Sequence, residues 1–494
     1  MPSKPTLGKS MPAKSTPARP RAPHPLLQTR RAGVLMHLTS LPSRFGNGDL
    51  GPSAYAFADW LARAGFSVWQ MLPIGPVGYG DSPYSSPSSF AIEPLFLALE
   101  PLVEQGLLSA SDLRLSARDA TRLGEGNSDF AASRAFRMPL YAKAAAAFAA
   151  RNGSRAAITR EYKAFCERSA WLPAWLDFIG GSDASLRAMH SWVQFELDRQ
   201  WRALRVSCMK KGIGLVGDVP IFVTADSADV RANPALFRLK KDGTPEVLTG
   251  VPPDGFSADG QLWGHPHYAW DAHAKQKFAW WTSRISCAAE RFDLVRIDHF
   301  IGFVRAYEVP AGAKNARKGE WRPAPGRALL EAMSKSFDAL PLIAEDLGAL
   351  TPEVEALRDD FGLAGMRIVQ NAFWSGKSGD MPHNHPVKSV VYSGTHDNET
   401  TAQWWQSRSP EERARFKAYA GNGAVTEAMR RIVLASPSVL AILPMQDLLG
   451  LGRVARMNLP GTATGNWTWR MADGAATAAL ADELRANIEA AGRL

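Results

Sequence analysis

The sequence predicts an α/β fold, a (β/α)8 TIM barrel carrying helical and loop insertions, on two observations. Eight short apolar runs recur along the 494 residues, most of them ending in polar or charged groups, and helical patterns lie between several of them. The runs are continuous rather than alternating, the signature of strands buried on both faces of a parallel sheet covered by helices. Eight such strands alternating with helices close into a barrel whose active site lies at the C-terminal strand ends.

In chain order, residues 33–38 (GVLMHL) lead into TSLPS and residues 66–72 (FSVWQML) into PIGP. Residues 212–216 (GIGLV) end at Gly217 and Asp218, and residues 292–297 (FDLVRI) at Asp298 and His299. Residues 340–344 (LPLIA) end at Glu345 and Asp346, and residues 366–369 (MRIV) at Gln370 and Asn371. Residues 389–392 (SVVY) run into Gly394 to Asp397, and residues 438–443 (SVLAIL) into Pro444 to Asp447. Among the helices, residues 53–64 (SAYAFADWLARA) close at Gly65, and TPEVE places Thr351 as N-cap with Pro352 at the first helical position. Leu197, Trp201, Leu204 and Cys208 share one face of a helix across residues 191–209.

Two regions do not fit a plain barrel. Residues 95–190 are alanine- and helix-rich without a strand pattern and read as an insertion subdomain. Residues 242–275 and 310–327, rich in Gly, Pro and aromatics, read as loops covering a cleft. About fifty residues follow the eighth strand, too few for a C-terminal β-sandwich but enough for a closing helix at 475–491.

The formal net charge of +9 first suggests a nucleic-acid partner, but its distribution argues otherwise. Residues 1–31 hold seven basic and no acidic residues, leaving +2 for everything else. Residues 1–30 therefore read as a disordered, proline-rich basic extension without the apolar run of a secretory signal or membrane span. Neither nucleic acid nor membrane is expected as a partner. The three cysteines, Cys166, Cys208 and Cys287, are scattered and odd in number, which fits a reducing cytoplasm rather than a disulfide framework. No metal spacing surrounds the paired histidines His265 and His267 or His383 and His385.

The chemistry collects at strand ends. Asp298, Glu345 and Asp397 follow three different predicted strands, and Asp218 a fourth, so a barrel brings them to one mouth. Paired carboxylates are what acetal cleavage between sugars needs: one protonates the leaving oxygen while the other attacks or supports the cationic centre. Arg296 lies two residues before Asp298, on the same side of the strand, and His299 and His396 supply neutral donors for hydroxyls. A single Asp at a strand end is ordinarily a helix cap or an ion-pair partner. Four such ends, each beside His, Arg, Asn or Gly, are harder to assign to capping. Asp346 and Glu399 read as supporting residues.

Over residues 31–494 the chain resembles the 4-alpha-glucanotransferases of glycoside hydrolase family 77, the amylomaltases or disproportionating enzymes, through long motifs. These include GVLMHLTSLPSRFGNGDLGP, LPIGPVGYGDSPYSSPSSFA, GVPPDGFSADGQLWG, VRIDHFIGF, AEDLG, SGTHDNETT and RMNLPGTATGNWTWR. The resemblance implies a retaining double displacement on α-1,4-glucans, with Asp298 as nucleophile, Glu345 as general acid/base and Asp397 stabilising the reacting sugar. It implies Arg296, His299, His396, Asp218 and Asn398 around the reacting glucose, Tyr84 stacked beneath it, and Phe256 and Trp263 toward the acceptor. No cofactor is called for. Leu38, Phe222, Gly255, His265, His267 and Ile301 depart from the family pattern without touching the three carboxylates. The same carboxylates would serve an α-glucan hydrolase, and a non-catalytic glucan-binding relative is the reading from another class. Preferred glucan length and oligomeric state, monomer or homodimer, stay open.

Overall fold

The eight apolar runs become eight parallel strands in the computed structural model, which describes residues 22–494 apart from 152–155, 254–256, 349 and 376–377. In chain order the strands are β1 (Arg31–Leu35), β2 (Val68–Gln70), β3 (Gly214–Val219), β4 (Val247–Val251), β5 (Gln261–Pro266) and β6 (Leu294–Ile297). They continue with β7 (Arg305–Pro310), β8 (Glu320–Pro323), β9 (Leu342–Ala344), β10 (Ala364–Ile368), β11 (Ser389–Tyr392) and β12 (Leu440–Pro444). Strands β1, β2, β3, β6, β9, β10, β11 and β12 follow one another around a closed barrel, and β12 pairs with β1 to close it. Each predicted barrel strand overlaps its run because both faces are covered. Val34, Trp69, Leu215, Val295, Ile343, Met366, Val391 and Ile442 are all fully buried, and burying a side chain of this size stabilises by about 1.5–3 kcal/mol.

Helices between the strands supply the outer layer. Pro52–Arg63 follows β1, Ala184–Lys210 precedes β3 and Ala279–Arg291 precedes β6. Gly65 takes the left-handed conformation that ends the first of these, at φ +80°. The C-terminal helix Ala478–Ala490 packs against Pro52–Arg63. No helix among the described residues is long and apolar enough to cross a membrane.

Residues 95–190 hold the helices Glu100–Glu104, Ala117–Gly124, Phe130–Ala150, Ala156–Arg168 and Leu172–Gly180. Their apolar side chains join the same core as the barrel, through Tyr141, Ala144, Phe148 and Phe165. Arg137, fully buried, locks them to the loop after β1: it pairs with Asp49 at 2.9 Å and donates to the carbonyls of Asn47 and Leu95.

Two boundaries differ from the sequence reading. Residues 1–21 lie outside the described residues, but the packed chain begins before residue 31. Leu27 is buried, and Arg30 donates to the carbonyls of Leu434, Ser436 and Ala491. Residues 242–275 and 310–327, expected as loops, instead contribute to a four-stranded antiparallel sheet of order β5-β4-β7-β8 with its own small core of Tyr307, Val309 and Ala316. These strands are only partly buried, so they lack the apolar run that marks a barrel strand.

Candidate active site

Strand β6 explains its own charges. It pairs with β3 in a register that sets Arg296 beside Asp218, although 78 residues separate them. The Arg296 guanidinium is buried and lies 2.7 Å from Asp218 and 3.0 Å from Asp298, bridging the two carboxylates. Burial opposes the charge of Arg296, but Asp218 and Asp298 hold its pKa well above the usual value. Asp218 also accepts from the Tyr84 hydroxyl at 2.8 Å. Burial, opposed by Arg296 and assisted by Asp298, pushes the Asp218 carboxyl up to about 7.

His299 ends the strand in the left-handed region at φ +52°, a conformation a non-glycine residue adopts only at some cost. That turn aims its backbone N–H at Glu345, which accepts it at 2.6 Å, and a second amide, from Leu347, reaches the other carboxylate oxygen at 3.0 Å. Glu345 directly follows β9, the barrel neighbour of β6. Burial raises its pKa to about 7; Arg296 and the two amides work against the rise, and Asp298 adds to it. The His299 imidazole is pushed down to about 4 by burial, so it is neutral at ordinary pH. Directly behind Glu345, buried Asp346 pairs with Arg358 at 2.5 Å and accepts from the Met366 amide at 2.7 Å. Gly365 leaves it room: a Cβ there would lie 2.3 Å from an Asp346 oxygen.

Asp397 stands on the turn after β11. His396 lies 3.3 Å from one of its oxygens, Asn458 donates to the other at 2.6 Å, and Arg456 donates to its backbone carbonyl at 2.7 Å. The same strap fixes His396, whose carbonyl accepts from the Asn458 amide at 3.1 Å. Trp467, held at φ +66°, packs against both Tyr84 and His396, and those two rings stack with centroids 5.0 Å apart. Burial lowers the His396 pKa and raises that of Tyr84 well above its ordinary value, so both rings are neutral hydrogen-bonding surfaces. A cavity lined by Met36, His37, His396, Asn398, Asp447 and Arg456 adjoins this wall.

The structure thus gathers Asp218, Arg296, Asp298, His299, Glu345, His396, Asp397 and Tyr84 at one barrel mouth. Trp263 joins them from β5, its ring edge-on to His299 at 4.9 Å. Asn398 turns its side-chain oxygen back to the Thr395 amide and hydroxyl, so that oxygen holds the turn. Phe256 lies outside the described residues. Glu399 pairs with Arg408. Asn458, Arg456 and Trp467 lie within the motif RMNLPGTATGNWTWR, but the sequence assigns them no role, because they follow the last strand, where no apolar run or strand end marks them. Among the described residues no group of three or more His, Cys, Asp or Glu side chains could hold a metal ion.

Residues 36–180 and 181–476 match the glycoside hydrolase family 77 profile, described as 4-alpha-glucanotransferase. The chain is 41% identical over 482 residues to the 4-alpha-glucanotransferase of Synechocystis sp., covering 90% of this chain and 94% of that one. It is 40% identical to the 4-alpha-glucanotransferase of Thermus thermophilus, covering 94% of this chain and 99% of that one. Among solved structures, the amylomaltase from Streptococcus agalactiae in complex with acarbose superposes with a TM-score of 0.88 at 33% identity, over 94% of this chain and 99% of that one.

Proposed function

The chain belongs to the 4-alpha-glucanotransferases of glycoside hydrolase family 77, and from that premise we propose that it disproportionates α-1,4-glucans by a retaining double displacement through a covalent glucosyl-Asp298 intermediate. The observation that carries this reading is that Asp298, held by Arg296, lies at the same barrel mouth as Glu345, whose carboxyl burial raises to a pKa of about 7, where it can both give and take a proton.

In the first step the protonated Glu345 carboxyl donates to the leaving glycosidic oxygen while Asp298 attacks the anomeric carbon, releasing the shortened glucan. In the second, ionised Glu345 takes the proton from the 4-hydroxyl of an incoming glucan, whose oxygen displaces Asp298. Two inversions retain the α configuration. Asp397, oriented by Asn458 and His396, stabilises positive charge on the ring and grips its hydroxyls. Asp218 with Arg296, and the stacked Tyr84 and His396, complete the donor glucose pocket. Water must be kept from the intermediate for transfer to win over hydrolysis. Trp263, leaning on His299 from the antiparallel sheet, forms that wall on the acceptor side.

Product analysis from maltotriose, with Asp298→Asn in parallel, tests the reading. A ladder of longer maltooligosaccharides plus glucose, absent in the variant, is the expected result. Products no longer than the substrate, with reducing ends accumulating, would make the protein a hydrolase. Equal turnover by the variant would remove Asp298 from the mechanism.

A further inference from the structure

The small antiparallel sheet carries an irregularity at the edge of the site. Leu248 on β4 faces Pro266 on β5, but Gly250 faces Leu262, so residues 263–265 together oppose Thr249. Such bulges re-aim side chains. At its centre Gly264 adopts φ +77°, a left-handed conformation that glycine takes without strain. Thr249, fully buried, pins the far side of the bulge by accepting the His265 backbone N–H at 3.2 Å.

On one side of the bulge Trp263 contacts His299, whose amide holds Glu345. On the other side stands the His265 ring, close enough to Asp298 for that carboxylate to raise its pKa, although burial prevails and pushes it down to about 4. The imidazole is therefore neutral at working pH, with one nitrogen to donate and one to accept. Two residues on, the His267 ring bonds the Leu248 carbonyl at 3.2 Å, and the His273 ring bonds the Leu236 carbonyl at 3.1 Å. His265 has its backbone bond to Thr249 and no ring partner among the described residues. A polar ring held by a bulge two residues from Trp263, which itself packs on His299, and without a ring partner among the described residues, is arranged for a ligand.

The side it serves follows from the proposed roles. The general acid faces the leaving oxygen, so the flank nearest Glu345 and His299 is where the leaving and accepting sugars sit. Asp218, Tyr84, His396 and Asp397 surround the other flank.

We propose that His265 is an acceptor-binding residue, its imidazole bonding a ring hydroxyl of the glucose that accepts the transferred segment. This rests on the transferase reading above and adds a specificity determinant to it. By orienting the acceptor while water competes, His265 raises the ratio of transfer to hydrolysis.

The experiment compares wild type, His265→Ala and His265→Asn with two donors. Transfer from maltotriose to isotope-labelled glucose gives the acceptor KM. Consumption of α-maltosyl fluoride gives kcat/KM for forming the intermediate, which precedes acceptor binding. For His265→Ala the acceptor KM rises about three- to ten-fold, as for loss of one neutral hydrogen bond. The transfer-to-hydrolysis ratio falls by a similar factor, and kcat/KM for the fluoride holds. His265→Asn, which keeps a donor and an acceptor, recovers part of the effect; it also serves if thermal melting shows the alanine variant misfolded. Equal losses with acceptor and fluoride would make the role structural, and an unchanged acceptor KM would remove His265 from the acceptor site. Either overturns the proposal. Failure of the wild type to make elongated products would instead count against the transferase reading.

Discussion

Glu345 offers the sharpest test of the mechanism, because its pKa of about 7 must appear as the alkaline limb of activity toward glucans. The general acid works only when protonated. Above the midpoint, kcat/KM for maltotriose falls tenfold per pH unit, so at pH 9 it lies about 100-fold below its plateau. Asp218 is also pushed up to about 7, so the limb alone does not identify the group. The leaving group separates them. Fluoride departs without protonation, so kcat/KM for α-maltosyl fluoride loses the Glu345 limb, whereas a limb caused by Asp218 would persist with both donors. Glu345→Gln gives a second check: formation of the intermediate from the fluoride survives, and turnover of maltotriose falls by about 10²–10⁴. Stopped-flow release of fluoride alongside chromatographic analysis of maltotriose measures both. Matching alkaline limbs for the two donors would refute the assignment of Glu345 as the acid.

Three further outcomes follow from contacts on the same framework. Asn458→Ala removes the 2.6 Å hydrogen bond to Asp397 and should lower kcat/KM about 10- to 150-fold, the range for a bond to a charged group, with the circular dichroism spectrum unchanged. Gly365→Ala brings a Cβ to 2.3 Å from an Asp346 oxygen that Arg358 holds in place; urea unfolding should show a loss of about 1–3 kcal/mol, and displacement of β10 against β9 should lower activity as well. Arg137→Met leaves Asp49 buried without its cation, for an expected loss of about 3–5 kcal/mol, and adding Asp49→Asn should recover part of it, read by the same unfolding assay.

Much of the site could be read directly from VRIDHFIGF, AEDLG and SGTHDNETT. A barrel strand buried on both faces must be apolar until it reaches the mouth, so the first ionisable group after an apolar run marks the mouth itself. Asp298, Glu345 and Asp397 carry that signal. Arg296 lies within β6 as the structure draws it, yet it is buried, because Asp218 and Asp298 are there to meet it. The strap that grips Asp397 carries no such signal. Asn458 and Arg456 act on a residue about sixty positions earlier, and Trp467 reaches Tyr84 from the far end of the barrel sequence, well beyond any local window.

The sequence by itself determined the eight barrel strands and the set of carboxylates at their ends, because continuous apolar burial and its abrupt termination are properties of a few neighbouring residues. Only the tertiary structure decided how those carboxylates are used. It set one arginine between Asp218 and Asp298 and turned the left-handed His299 amide onto Glu345. It also drew residues expected as loops into an antiparallel sheet whose bulge presents Trp263 and His265. Strands such as β5 and β8 are partly exposed rather than buried on both faces, so their local pattern barely differs from that of a loop. What fixes them is hydrogen bonding to partners elsewhere in the chain, which no local window contains.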